Sequence, residues 1–231
     1  LVSAAIPAPP EGGFVLRNRF ASLDPAQRGW MDDAPSYMPP IALDDPVRAT
    51  TVGQVHASDH PDYAPGDWVM GLNAIEEYSA VVPDGFTAKV DVSAVDSPSR
   101  FLSAFGAVGL TAYFGLLEVA KPQPGETVLV SGAAGAVGSV VGQIAKIHGC
   151  RTVGIAGGPD KCARLVQRYG YDAAVDYRGK STEQLADAIR EVTPDGANIV
   201  FENVGGTVFD AELMNLAKHA RIVLCGLISE Y

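Results

Sequence analysis

The stretch that most constrains this chain is Thr127 to Gly149, TVLVSGAAGAVGSVVGQIAKIHG, where an apolar strand signal passes through a glycine-rich turn straight into an amphipathic helix. Thr127, Val128, Leu129 and Val130 form the short apolar run of a buried parallel strand. From there the apolar positions change to Val137, Val140, Val141, Ile144 and Ala145, which is helical spacing. Gly149 stands where a left-handed cap belongs, with Lys146 and His148 in the last turn, where positive charge suits the helix dipole. No carboxylate occupies the first turn, so the backbone N–H groups of Gly135, Ala136, Val137 and Gly138 are expected to be open to an anion. The G-x-G-x-x-G pattern of phosphate-binding turns is met in part: Ala133, preceded by Gly132, takes the first glycine position, and Gly135 and Gly138 fill the others. A packing turn without ligand is the alternative, and the strand before and helix after favour the phosphate reading.

The alternation beyond this motif is regular. Strands are predicted near 127–132, 151–156, 172–176, 198–204 and 220–226, with helices between them, the rhythm of a doubly wound parallel sheet of the α/β class. The second helix opens at Pro159, places Cys162, Leu165, Val166 and Tyr169 on one face and closes at Gly170. The third has Ser181 and Gln184 at capping-box spacing and Leu185, Ala188, Ile189 and Val192 inward, before Pro194 stops it. A complete sheet of this kind has a sixth strand, and none is read before Tyr231; together with a start at Leu1, this reads as a chain cut short. Residues 1 to about 95 are rich in proline and glycine, with strand-like runs at Phe14–Arg17, Thr51–Val55, Trp68–Met70 and Tyr78–Val82. A helical pattern follows over Phe101–Val119, with Phe101, Phe105, Val108, Ala112, Leu116 and Val119 on one face, and Lys121–Gly125 (KPQPG) is a stiff connector. Two domains are expected, 1–120 and 121–231.

A net charge of −10 over 231 residues argues against nucleic acid and anionic membrane surfaces as partners. No apolar stretch reaches the length of a membrane span, and Cys150, Cys162 and Cys225 are odd in number and form no C-x-x-C pair. A cytoplasmic, reducing location is the expectation. His56 and His60 lie in the turn-like HASDHP, which reads as surface loop, and no metal site is expected. No nucleophile with an adjacent base supports a hydrolase.

An NAD-specific site places an acid at the end of its second strand, to accept hydrogen bonds from the ribose 2′-hydroxyl. Here that place is Gly157-Gly158, with Lys161 one helical turn beyond and Asp160 in the helix's first turn, where the dipole explains it. The reading is NADP(H), with Lys161 on the 2′-phosphate; an ordinary exposed helix lysine is the alternative. Tyr177 and Arg178, just past the third strand, are placed to flank the adenine ribose or to form a plain surface loop.

The motifs SLDPAQRGWM, SYMPP, PGDWVMG, GLTAYFGLLE, AAGAVGSVVGQIAK, IAGGPDKC, ENVGG and CGLISEY run through nearly the whole chain. They resemble the zinc-free branch of the medium-chain dehydrogenase/reductase superfamily, that of leukotriene B4 12-hydroxydehydrogenase, prostaglandin, curcumin and plant double-bond reductases. The resemblance implies a GroES-like β domain ahead of a Rossmann-like domain, substrate between them, and a homodimer of the full-length chain. It implies pyrophosphate contacts at Gly135, Ala136, Val137 and Gly138, 2′-phosphate contacts at Lys161 and Tyr177, and a cofactor contact at Asn203. It further implies a nicotinamide-side lining from Cys225, Gly226, Leu227, Ile228, Ser229 and Tyr231, with Thr111 approaching. Glu202 replaces the usual aspartate, and Ala26 stands where many relatives carry a tyrosine.

Alcohol-dehydrogenase zinc chemistry needs a Cys/His ligand set in the first domain, yet residues 1–149 contain no cysteine. The implied reaction is metal-free hydride delivery from NADPH to the β-carbon of a small apolar α,β-unsaturated ketone or aldehyde, with Tyr231 as the catalytic donor to the carbonyl oxygen, acting directly or by orienting the cofactor ribose hydroxyl. Trp30, Met31, Tyr37 and Met38 suit an apolar pocket or ordinary packing. A quinone reductase of the same superfamily and a non-catalytic NADPH-binding protein are the alternatives.

Overall fold

The computed structural model describes residues 2–34 and 37–230. Contacts divide the chain into two compact units, Leu1–Gly106 and Ala107–Tyr231. In the first, β1 (Phe14–Ala21), β2 (Arg48–Ser58), β3 (Trp68–Ala74), β4 (Tyr78–Val81) and the short β5 (Ala88–Lys89) form an antiparallel sheet in the order β4-β1-β2-β3-β5, with α1 (Ala26–Trp30) between β1 and β2. Phe14, Leu16, Val55, Val69 and Val81 make its core, and Tyr63 stacks on Phe14 at 4.6 Å between ring centroids.

The second unit is a parallel sheet of β6 (Thr127–Val130), β7 (Arg151–Ala156), β8 (Ala173–Asp176), β9 (Ala197–Glu202) and β10 (Leu216–Leu224), ordered β10-β9-β6-β7-β8. Its helices are α2 (Ala107–Tyr113), α3 (Ala136–Ile147), α4 (Pro159–Tyr169), α5 (Thr182–Val192) and α6 (Gly206–Leu213). Because side chains alternate across a strand, Val128 and Val130 of β6 and Ile199 and Phe201 of β9 face a core layer under α2, α3 and α4. Leu129 and Val200 face the opposite layer, under α5 and α6. Helices on both faces of a parallel sheet are the doubly wound architecture expected. The strand order reverses between β6 and β9, which opens a crevice beyond their carboxyl ends.

Local rules read from sequence hold at the helix ends. Ser181 and Gln184 make a reciprocal capping box, Gly149 and Gly170 are left-handed with φ of 74° and 72°, and Pro159 opens α4. Two expectations differ. The expected helix over 101–119 is broken: a 3-10 turn covers Pro98–Leu102, α2 starts at Ala107, and Phe114–Ala120 winds as a π-helix. The wider winding carries Leu116 and then Ala120 to the core and turns Val119 outward, while Phe105 is exposed. This helix packs with the second unit, which begins at Ala107. In α4, Leu165 is fully buried but Val166 faces solvent.

Candidate functional site

The turn after β6 is shaped by Gly132, whose φ of 55° bends the chain so that its carbonyl accepts the Gly135 N–H at 2.8 Å. Gly135 therefore does not offer the free donor expected of it; its N–H is spent inside the turn. Ala133, in the first glycine position, is fully buried, and its N–H bonds the Ile155 carbonyl of β7 at 3.1 Å. The first amide of α3 bonded back to the turn is that of Ser139, to the Gly135 carbonyl. Among the described residues nothing accepts from the N–H groups of Ala136, Val137 and Gly138, and the first turn holds no acidic side chain. A Cβ on Gly138 would fall 2.6 Å from Ala133 Cα and 2.7 Å from the Gly132 oxygen, so only glycine lets the helix seat this closely on the turn. The turn is braced from behind by Tyr171, a buried side chain whose hydroxyl donates to the Gly138 carbonyl at 2.7 Å.

Across the crevice, the fully buried Glu202 at the end of β9 accepts from the Ser131 hydroxyl at 2.6 Å, from the Val204 N–H at 2.5 Å and from the Gly205 N–H. Ser131 in turn accepts the Asn203 N–H at 2.8 Å, and the Asn203 side-chain amide donates to the Ser131 carbonyl at 2.8 Å. Asn203 thus follows directly on β9, with its NH2 committed to tying β9 to β6. Ser131 went unnoticed in the sequence because a serine ending an apolar strand carries no periodic signal. The segment after β10 runs alongside: Cys225 and Gly226 donate to the Glu202 carbonyl, Ile228 to that of Asn203 and Ser229 to that of Val204. Leu227 accepts from the Glu230 N–H, and Cys225, Ile228 and Ser229 are exposed. Tyr231 lies outside the described residues.

Beneath Glu202 is Glu212 of α6, also fully buried, with neither carboxyl oxygen meeting a hydrogen-bond partner. Burial, and then the neighbouring Glu202 carboxyl, push its pKa well above the ordinary glutamate range. On the other flank, the end of β7 is the bare pair Gly157-Gly158, and Lys161 is exposed in the first turn of α4. Asp176 at the end of β8 accepts from both the Gly158 N–H at 2.8 Å and the Arg178 N–H at 3.0 Å. Those bonds, Gly158's foremost, hold its carboxyl below the usual range. The Tyr177 hydroxyl lies over Gly157. Thr111 is an exposed residue of α2. In the first unit, Trp30 is buried, and Met31 and Tyr37 are exposed.

Residues 1–90 match a family described as the N-terminal domain of oxidoreductase, and residues 136–231 one described as zinc-binding dehydrogenase. The chain is 42% identical over 226 residues to the NADPH-dependent curcumin reductase of Escherichia coli, covering 98% of this chain and 64% of that protein. It is 40% identical to the NADP(+)-dependent 2-alkenal reductase of Nicotiana tabacum, covering 96% of this chain and 65% of the relative. The chain thus spans a little under two thirds of these curated relatives. The crystal structure of CurA in complex with NADPH from Vibrio vulnificus superposes with a TM-score of 0.92 at 41% identity, covering 100% of this chain and 67% of that one. The chain belongs to the medium-chain dehydrogenase/reductase family, in its curcumin-reductase-like branch. For a medium-chain dehydrogenase/reductase the antiparallel unit takes the GroES-like place and the parallel unit the Rossmann-like place. Among the described residues of this family member, no three His, Cys, Asp or Glu side chains come together as a metal-binding group. No described helix is long and apolar enough to cross a membrane.

Proposed function

We propose that the protein is an NADPH-dependent, metal-independent reductase of the C=C bond of small apolar α,β-unsaturated ketones and aldehydes. The observation that carries this reading is the trio of unbonded amides at Ala136, Val137 and Gly138, at the point where the strand order reverses. These residues fit a pyrophosphate: the donors are free, no carboxylate competes, and the missing Cβ at Gly138 keeps the cradle open and close. Gly135 contributes a bare approach rather than a donor. The end of β7 lacks the acid that would accept a ribose 2′-hydroxyl, and Lys161 and Tyr177 stand beside it to receive a 2′-phosphate.

When bound, NADPH supplies the hydride that reduces the carbon β to the carbonyl. The chain's own residues position and stabilise. Glu202 and Ser131 hold Asn203 and the Cys225–Ser229 segment along one rim of the crevice, and Tyr231 is proposed as the donor to the carbonyl oxygen, on the family likeness. The names of the curcumin and alkenal reductases support the substrate class. The free thiols of Cys150, Cys162 and Cys225 agree with a reducing, cytoplasmic setting, and the family likeness supports a homodimer.

The test is nucleotide oxidation by the full-length protein against enones, alkenals and quinones, with NADPH and NADH in parallel. Enone turnover with NADPH is expected, and Tyr231→Phe should slow it while NADPH affinity stays. A preference for NADH, or turnover confined to quinones, would refute the proposal. Tight NADPH binding without turnover of any of them would mark a nucleotide-binding protein instead.

A further inference from the structure

At the proposed 2′-phosphate end, a Cβ on Gly157 would lie 3.0 Å from the Tyr177 hydroxyl and 3.1 Å from Arg178 Nε, and one on Gly158 would lie 3.1 Å from Arg178 Nη1. The guanidinium therefore lies close against the bare glycine pair at the end of β7, although it belongs to the loop after β8. One carboxylate oxygen makes that meeting: Asp176 Oδ1 accepts from the Gly158 and Arg178 amides at once. The Arg178 guanidinium itself has no hydrogen bond or ion pair among the described residues. The Asp176 carboxylate feels both Arg178 and Lys180, and its Oδ1 is already engaged by two amides.

An unpaired guanidinium over a floor without side chains, in a chain of net charge −10, is a built niche for a dianion. Its planar fork matches phosphate oxygens two at a time, whereas the Lys161 ammonium is a single point charge on a flexible stem. We propose that Arg178 is the specificity-determining residue for the 2′-phosphate and carries more of the preference for NADPH over NADH than Lys161 does. Asp176 is its positioning residue. The assignment rests on the nucleotide reading proposed above.

Binding of NADPH, NADH and 2′,5′-ADP to the full-length protein and to its Arg178→Leu, Arg178→Lys and Lys161→Ala variants tests it. Arg178→Leu should weaken NADPH and 2′,5′-ADP by about ten- to a hundredfold and leave NADH within about twofold. Arg178→Lys should fall between wild type and Arg178→Leu, and Lys161→Ala should cost less than Arg178→Leu. If wild type prefers NADPH but Arg178→Leu keeps that preference, or Lys161→Ala removes more of it, the assignment to Arg178 is overturned while the nucleotide reading stands. If wild type shows no preference for NADPH, the nucleotide reading and the assignment both fall.

Discussion

Glu212 offers a sharp energetic test, because a carboxyl with both oxygens unpartnered is buried against a second acid. Glu212→Met keeps the side-chain length and removes both oxygens. Below the ordinary glutamate pKa of about 4.5 the group is neutral whether the chain is folded or not. There the variant should be more stable by the cost of an unsatisfied buried polar group, about 1–3 kcal/mol. Above that pH the unfolded chain releases the proton while the folded protein keeps it. The Glu212 contribution to wild-type stability therefore falls by about 1.4 kcal/mol per pH unit, until Glu212 itself ionises at its raised pKa. The methionine variant lacks this slope, so its advantage should widen by about 1.4 kcal/mol between about pH 5 and 6. Urea unfolding of both proteins at matched ionic strength, stepped through that range, measures the gap. A gap that does not change with pH would refute the raised pKa, and a variant less stable than wild type below pH 4.5 would show that the protonated carboxyl has a partner, the Glu202 carboxyl beside it.

Two further outcomes are expected. Gly138→Ala forces a methyl against the Ala133 and Gly132 backbone, and should weaken NADPH binding measured by titration and cost about 1–3 kcal/mol in unfolding free energy. Arg221 grips Glu126 with two bonds of 2.7 and 2.6 Å and also bonds the Ala120 and Lys121 carbonyls, and the Arg221 bond holds the Glu126 pKa down. Because the folded pKa is lowered, this contribution is present above about pH 4.5 and lost as pH falls through the folded value. Arg221→Met should cost about 1.5–3 kcal/mol at neutral pH, with the difference from wild type narrowing in acid.

What sequence makes visible here is local and repetitive. The shift from strand to helical spacing between Thr127 and Ala145 located β6 and α3, and the capping residues at Ser181 and Gln184 and the glycines at 149 and 170 located helix ends, because each acts within a few residues of itself. What escaped depends on residues brought together by the sheet. Ser131 and Glu202 are 71 residues apart and meet only because β6 and β9 are neighbours. The loss of Gly135 as a donor follows from the conformation of Gly132, and the exposure of Val119 from a π-helix. Arg178 reads in the sequence as a residue flanking the adenine ribose or as plain surface loop; only the β7–β8 pairing lays it on Gly157 and Gly158.

The Tyr171 hydroxyl bond to the Gly138 carbonyl has a kinetic corollary. A mould already set before its guest arrives loses little conformational entropy on being filled, so capture should be a single diffusional step without a slow isomerisation behind it. The same phenol fills the notch left by Gly142, where a methyl would come within 2.2 Å of the ring. Rigidity at the mouth of the crevice is thus anchored in the hydrophobic layer below.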